Sequence, residues 1–435
     1  MGHQKWIVIS DPFIAHDIFT TNGAYTSGRP SGTFGHDIYG RNGRGIVFAT
    51  NNKKWRDTRA AAFTMLSNKS VDELLDTIVY EIDILINKLF DTKEQNLNPK
   101  EHFQLISYNV IMTTCFATRA PTIEDPTFQQ ITEMLHIQNK NAAAMQYVGS
   151  FIPWLGWLDV ITGKKRKLRY LNHKYRDTIF PALVDESRAH GKECMVNRLY
   201  SLQDEYHLDD DDILVTMSDL IVAGSDTVYV TLLWACAIFA NHPEVQKKIC
   251  NEVDQFLKTY QRYPTFGEYT QFPYLMSSLK ECMRYRSTVP FTAPHMVTGD
   301  FDYQGYQFTK GDILLADIYT LNKTSSVYQD HDTFIPDRYI DDQKTMTASA
   351  NGSVQLRDHY NFGYGRRICP GIYLAETEMF NIWVRIFARF TIESAIDEQG
   401  NNIKPNIEDI VDSGIVLEPE NYEVRFVERD NYISI

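Results

Sequence analysis

The sequence predicts one large, mainly α-helical domain, and three observations carry that prediction. The chain has 435 residues, 43% of them hydrophobic and 23% charged, which is enough apolar material for a sizeable core. No Gly/Ser/Pro-rich linker and no internal repeat divides it, so residues 1–435 read as a single domain. From Ile213 to Ala240 the chain is almost continuously apolar, and a second apolar segment at helical spacing follows Cys369.

The elements follow in chain order. Trp6–Ile9 reads as a strand, and Ser10-Asp-Pro12 opens a helix. The first ten residues form neither a signal peptide nor a membrane anchor, and the start of the chain reads as truncated. Asp209-Asp-Asp-Asp212 reads as a solvated helix start: acids favour a helix N-terminus, and no metal-loop spacing follows. Leu220 to Ala240 is long enough to span a bilayer, with Asp226 its only charge. Gly224-Ser-Asp-Thr227, Thr231 and the long polar sequence on either side favour instead a helix buried in the middle of a large domain. Gly224 and the adjacent hydroxyls predict a local bulge there. A further helix carries Leu275, Met276 and Leu279 with Glu281 and Arg284 three apart on one face. It runs into Pro290 and Pro294 and reads as buried.

The net charge of −13, with no basic tail or stripe expected to offset it, argues against nucleic acid as a partner. Six scattered cysteines (Cys115, Cys194, Cys236, Cys250, Cys282, Cys369) include no C-x-x-C pair and suit a reduced, cytosol-facing protein.

The chemistry concentrates in Phe362-Gly-Tyr-Gly365-Arg-Arg367-Ile-Cys369-Pro-Gly371. A lone cysteine beside a glycine turn usually just packs. Here, however, a short loop holds a thiol, two arginines and three glycines directly before a helix, with Pro370 suited to its first turn. Backbone N–H groups and the helix dipole at such a position favour a thiolate that serves as a ligand.

Phe362, Gly365, Arg367, Cys369 and Gly371 match the haem-binding loop of the cytochrome P-450 (haem-thiolate monooxygenase) family, which the chain resembles over nearly its whole length. The resemblance implies the cytochrome P-450 fold, a large helical bundle with a long central helix and small β-sheets. It makes Cys369 the axial ligand of a haem b iron. It places Trp55, Arg59, Arg367 and His295 at the haem propionates, and Asp226 and Thr227 in an acid–alcohol pair that relays protons. Glu281 and Arg284 resemble the family's E-x-x-R pair, closed by Arg338 in Phe334-Ile-Pro336-Asp-Arg338-Tyr339, where Asp337 and Tyr339 stand in place of the commoner Glu and Phe. By family position the substrate pocket takes in Ala223, Val289, Phe291, Ala293, Ile415 and Val416, with Ile46–Phe48 as weaker candidates. These are apolar and predict an apolar organic substrate.

The activity implied is insertion of one oxygen atom of O2, with electrons from an NADPH-dependent flavoprotein reductase. The implied state is a monomer on the cytosolic face of the endoplasmic reticulum membrane; the sequence by itself suggests a cytosolic or peripheral protein. The wording of the cysteine loop resembles fungal biosynthetic members, in secondary metabolism. Two alternatives stay open: a haem-thiolate isomerase, dehydratase or peroxygenase, and a non-catalytic haem-binding remnant.

Overall fold

The computed structural model describes residues 4–142, 152, 155, 157–433 and 435. The strand at Trp6–Ile9 forms and pairs in parallel with Ile313–Ala316, Trp6 opposite Ile313 and Ile9 opposite Ala316. His295–Met296 adds antiparallel on the other edge of Ile313–Ala316. Asp11 caps the next helix, Pro12–His16, accepting the N–H groups of Phe13 and Ile14 at 2.9 Å each. A second small sheet joins Phe390–Ile396 to Val424–Glu428 and Asn402–Ile403. The hairpin Ile410–Asp412/Leu417–Pro419 carries the 413–416 turn.

The rest is mainly helical, organised around Asp210–Asn241. This 32-residue helix is about 48 Å long at 1.5 Å per residue and lies along Lys100–Phe116. It is long and apolar enough to cross a membrane, but 78% of its most apolar window is buried inside the fold. Core partners surround it rather than lipid. Trp383 of the helix Ile372–Arg389 packs edge-on to Phe239 at 5.0 Å, so the two longest apolar segments of the sequence meet face to face. Truncating an aromatic at such a contact typically costs about 3–5 kcal/mol.

Four local expectations need correction. The acidic run is not simply solvated. Asp209 is the N-cap and forms a reciprocal box with Asp212, but the Asp212 side chain is fully buried. It is ion-paired to Arg44 (2.9 Å) and Lys54. Burial without those cations would be costly, so the acids tie the segment around residues 41–54 to the central helix. The central helix has no bulge at Gly224: it is α-helical throughout. Thr227 and Thr231 donate to the carbonyls of Ala223 (2.6 Å) and Thr227 (2.7 Å), satisfying their hydroxyls without displacing a turn. Pro370 lies outside the last helix, which starts at Ile372 with Gly371 as its N-cap. Finally, a basic stripe does exist. Lys164, Arg166, Lys167, Arg169 and Lys174 stand exposed on the helix Lys164–Lys174, where the bulk charge hides them.

Candidate active site

Cys369 lies in a loop shaped by its own backbone. Its N–H donates to the Phe362 carbonyl at 2.9 Å, closing the loop on itself. Gly365 has φ +52, and a Cβ there would strike the backbone carbonyl of Phe19, so this position accepts only glycine comfortably. Its role is thus to let the loop approach Phe19. A Cβ at Gly371 would meet nothing within 4 Å, and that residue contributes its N–H to the cysteine instead. Burial holds the Cys369 thiol above its ordinary pKa; the Gly371 N–H and the nearby Arg59 cation pull it back toward the thiolate. The N–H and the cation act in the direction the sequence implied, but burial is the larger influence.

Beside the sulfur lies a cavity of about 340 Å³. Its wall includes Cys369, Phe362, Arg367, His295 and the apolar residues Val289, Phe291, Ala293 and Ile415. Val47 and Phe48, weaker candidates from the sequence, line it too. Val416 does not: it is 1% exposed and belongs to the core, because the turn points it inward while Ile415 faces the cavity. Ala223 is not part of this wall either, although it is exposed in the middle of an otherwise buried helix. With half-buried Thr227 it shares one helix side at i, i+4 spacing, while Gly224 lets Ile111 pack closely. One turn further, Thr231 bonds Thr288 (2.9 Å), the neighbour of the cavity-lining Val289.

Three arginines converge on the cavity and its rim. Arg367 donates to the carbonyls of Ser27, Ile46 and Ala49 and stacks on Trp55, 3.9 Å from the ring centroid. Arg59 donates to the Ile368 carbonyl. Arg29, which the sequence reading missed, donates to Ala293 (2.7 Å), Pro294 (2.8 Å) and Val47 (2.9 Å). All partners are neutral carbonyls; among the described residues no Asp or Glu pairs with any of the three. Desolvation, reinforced by the neighbouring arginines, pushes Arg29 down to about 9 and Arg367 to about 8; desolvation alone takes Arg59 to about 10. A guanidinium stays charged in a protein, so this strain amounts to an unmet demand for an anion. Trp55 spends its indole N–H on the Ile46 carbonyl (3.0 Å), so its part here is to stack on Arg367. His295 donates from Nδ1 to the Thr26 carbonyl (2.8 Å); burial and the cations Arg29 and Arg367 hold it neutral.

Behind the loop lies a closed ion-pair network. Fully buried Arg284 binds Glu281 through two bonds of 2.7 Å, and Arg338 reaches the same carboxylate at 3.0 Å. Arg284 also donates to the Asn322 carbonyl (2.9 Å), and the Asn322 side chain bonds Tyr360 N (2.8 Å) and Asn361 (2.9 Å). The network therefore reaches the segment that leads into the cysteine loop. Asp337 stays outside it, in an exposed 3.5 Å pair with Lys248.

On the central helix Asp226 is buried and accepts a hydrogen bond from Asn139. It does not bond Thr227, whose hydroxyl is committed to Ala223. Burial pushes the Asp226 carboxyl up to about 7. Asp219, two turns earlier, accepts from Tyr39 (2.8 Å), Ile46 N (2.5 Å) and Val47 N (3.2 Å) and so pins the cavity-lining 46–48 loop. Arg29, Asn139 and Asp219 carry only weak sequence signals. Arg29 sits in Ser27-Gly-Arg-Pro30, where the Gly and Pro mark a turn but say nothing of carbonyls some 264 residues away.

A cysteine on the wall of a largely apolar cavity, with arginines converging on it that no acid pairs among the described residues, is the arrangement of a haem-thiolate protein. The chain belongs to the cytochrome P-450 family: the family model Cytochrome P-450 matches residues 1–426. It is 26% identical over 448 residues to a trans-cinnamate 4-monooxygenase of Petunia hybrida, covering 97% of this chain and 86% of that protein. To the cytochrome P-450 monooxygenase anuE of Penicillium roqueforti (strain FM164) it is 25% identical over 416 residues, covering 93% and 84%. Its fold matches a zebra fish cytochrome P-450 structure with progesterone, at a TM-score of 0.80 and 23% identity, covering 99% of this chain and 95% of that one. The chain is a haem-thiolate monooxygenase, an oxidoreductase that incorporates oxygen from O2.

Proposed function

We propose that the chain is one haem domain that binds haem b and oxidises an apolar small molecule with electrons from an NADPH-dependent flavoprotein reductase. The observation that carries this is the pairing of Cys369 with buried Arg29 and Arg59 and half-buried Arg367, which no acid among the described residues neutralises. A dianionic group edged by two carboxylates answers that surplus, and guanidinium forks suit carboxylate oxygens. Cys369 would hold the iron. Arg29, Arg59 and Arg367 would take the propionates, with His295 beside them and Trp55 stacked beneath Arg367.

The bound haem supplies O2 activation, which a thiolate ligand favours. The chain's own residues do the rest. Phe362 and the loop backbone fix the sulfur, and the Glu281–Arg284–Arg338 network holds the segment before the loop. Val289, Phe291, Ala293 and Ile415 exclude water and select an apolar substrate. Exposed Ala223 leaves one side of the central helix open, while Gly224 lets Ile111 pack against the helix. Asp226, with a carboxyl that titrates near neutrality, exchanges protons with solvent, and Thr227 offers a hydroxyl one residue away. The monooxygenase names of the relatives support this over an isomerase or a remnant. The biosynthetic setting stays a proposal of the loop wording.

We also assign a peripheral membrane position to the monomer. Exposed Tyr170 lies on the basic helix Lys164–Lys174, and exposed Trp157 and Ile161 lie on the short helix before it, a combination that suits an anionic lipid surface at the endoplasmic reticulum.

The test is reductase-dependent NADPH consumption by the purified haem protein while apolar compounds are screened by the spectral shift they cause on binding. Consumption that rises with a binding compound supports the assignment. Stable haem binding with no reductase-dependent consumption for any binder would overturn it.

A further inference from the structure

We propose that Asn139 is the positioning residue for Asp226, holding the carboxyl on the underside of the helix Pro126–Ala142 and setting when it takes up a proton. The proposal rests on the reading of Asp226 as the proton-exchanging acid and names the residue that controls it. Asn139 Nδ2 donates to Asp226 Oδ2, and both residues are 5% exposed. No other direct hydrogen bond to this carboxylate is formed among the described residues, so the amide is its main polar support.

The Asn139 main chain lies close to the cavity. Asn139 is one turn before Ala142, which lines the cavity, and a Cβ at Gly414 would be 2.7 Å from the Asn139 carbonyl. The 413–416 turn, whose Ile415 also faces the cavity, therefore rests on Asn139. Among the described residues Asn139 Oδ1 has no hydrogen-bond partner, and neither do the amide atoms of its chain neighbour Gln138. Native interiors rarely leave such an atom unbonded, and the buried Oδ1 suits an ordered water. Asn139 can thus accept from a water through Oδ1 while it donates to Asp226 through Nδ2, which fixes the amide and with it the carboxyl.

The charges facing Asp226 come from three elements. Lys100, on the helix Lys100–Phe116, favours the carboxylate; Glu418, on the strand Leu417–Pro419, opposes it. Tyr229, on the central helix, stays neutral and donates to Glu418 at 2.9 Å. Burial is the largest influence and raises the carboxyl to about 7, with the Asn139 N–H working against it. Loss of that donor must shift the acid further toward its neutral form.

The test titrates Asp226 in the haem protein by infrared spectroscopy of the protonated-carboxyl band, assigned by its loss in D226N. We expect a wild-type midpoint near neutrality, a midpoint about one pH unit higher in N139A, and an intermediate value in N139S, which keeps a shorter donor. N139S also serves if N139A does not fold. An unchanged midpoint in both variants, or no titrating band lost in D226N, overturns the proposal. Reductase-driven NADPH oxidation separates it from the reading beneath it. If D226N slows oxidation but the Asn139 variants leave both its rate and its pH profile unmoved, Asn139 is not the control. If D226N leaves oxidation unchanged, the relay reading falls, while the infrared shift still decides whether Asn139 holds the acid.

Discussion

Two groups of buried arginines in this molecule look alike in sequence and behave as opposites. Around Glu281 the cations are satisfied: Arg284 makes a two-pronged pair with the carboxylate, Arg338 joins it, and the spare donors end on backbone carbonyls. Around the cavity Arg29, Arg59 and Arg367 find carbonyls only, and the cations repel one another. A closed network needs nothing from outside and acts as scaffold. An open one is a site that asks for an anion. The same residue type thus serves structure or binding according to whether an acid has been buried with it.

The comparison breaks first at its strongest point. Glu281→Ala leaves two guanidinium groups buried without an acid and is expected to cost about 3–5 kcal/mol in urea unfolding, with or without haem. A loss under about 1 kcal/mol would mean the network does not hold the scaffold.

Arg29→Met and Arg367→Met should separate the two roles. Each relieves repulsion in the cluster but strips backbone carbonyls of their donor, so the haem-free chain should lose less stability in urea than the haem-loaded protein. Haem transfer to an acceptor globin should speed up, on the order of ten-fold for one lost charge-assisted contact. Equal losses of stability with and without haem would place these arginines with the scaffold instead.

The buried acids give a pH signature. Asp219 is raised from 3.8 to about 6 by burial. Its folded form therefore binds a proton more tightly than the unfolded chain, and its contribution to stability is present below pH 3.8 and is lost as pH rises to about 6. Asp219→Asn should flatten the fall of the melting temperature across that window, read by calorimetry at several pH values. An unaltered slope would show that Asp219 is not the group responsible.

The smallest effect belongs to Asp337, which neighbours Arg338 but pairs only with exposed Lys248. Asp337→Ala should change stability by less than about 0.5 kcal/mol. A larger loss would mean the network extends further than its hydrogen bonds indicate.

What was legible in the sequence was local. The cysteine loop, the Glu281/Arg284 spacing, the strand at Trp6–Ile9 and the core helix each carry their pattern within a few residues and each forms, though Pro370 falls before the last helix and the core helix runs without a bulge. What was not legible depends on distant partners. Arg29 gains its meaning from carbonyls at Ala293 and Pro294, and Asp226 from Asn139. The expected bulge at Gly224 failed because Thr227 and Thr231 satisfy themselves against the previous turn, a choice the residue types leave open. Val416 was misplaced by a single residue: in a tight turn, neighbours face opposite ways, so Ile415 meets the cavity and Val416 the core.

The most direct test is the difference spectrum of the reduced, carbon-monoxide-bound protein, with Cys369→Ser beside it. The account predicts a Soret band shifted far to the red in the wild type and lost in the variant. A haem-loaded wild type whose band stays unshifted, or a variant that keeps the red-shifted band, would contradict the placing of the Cys369 sulfur on the iron.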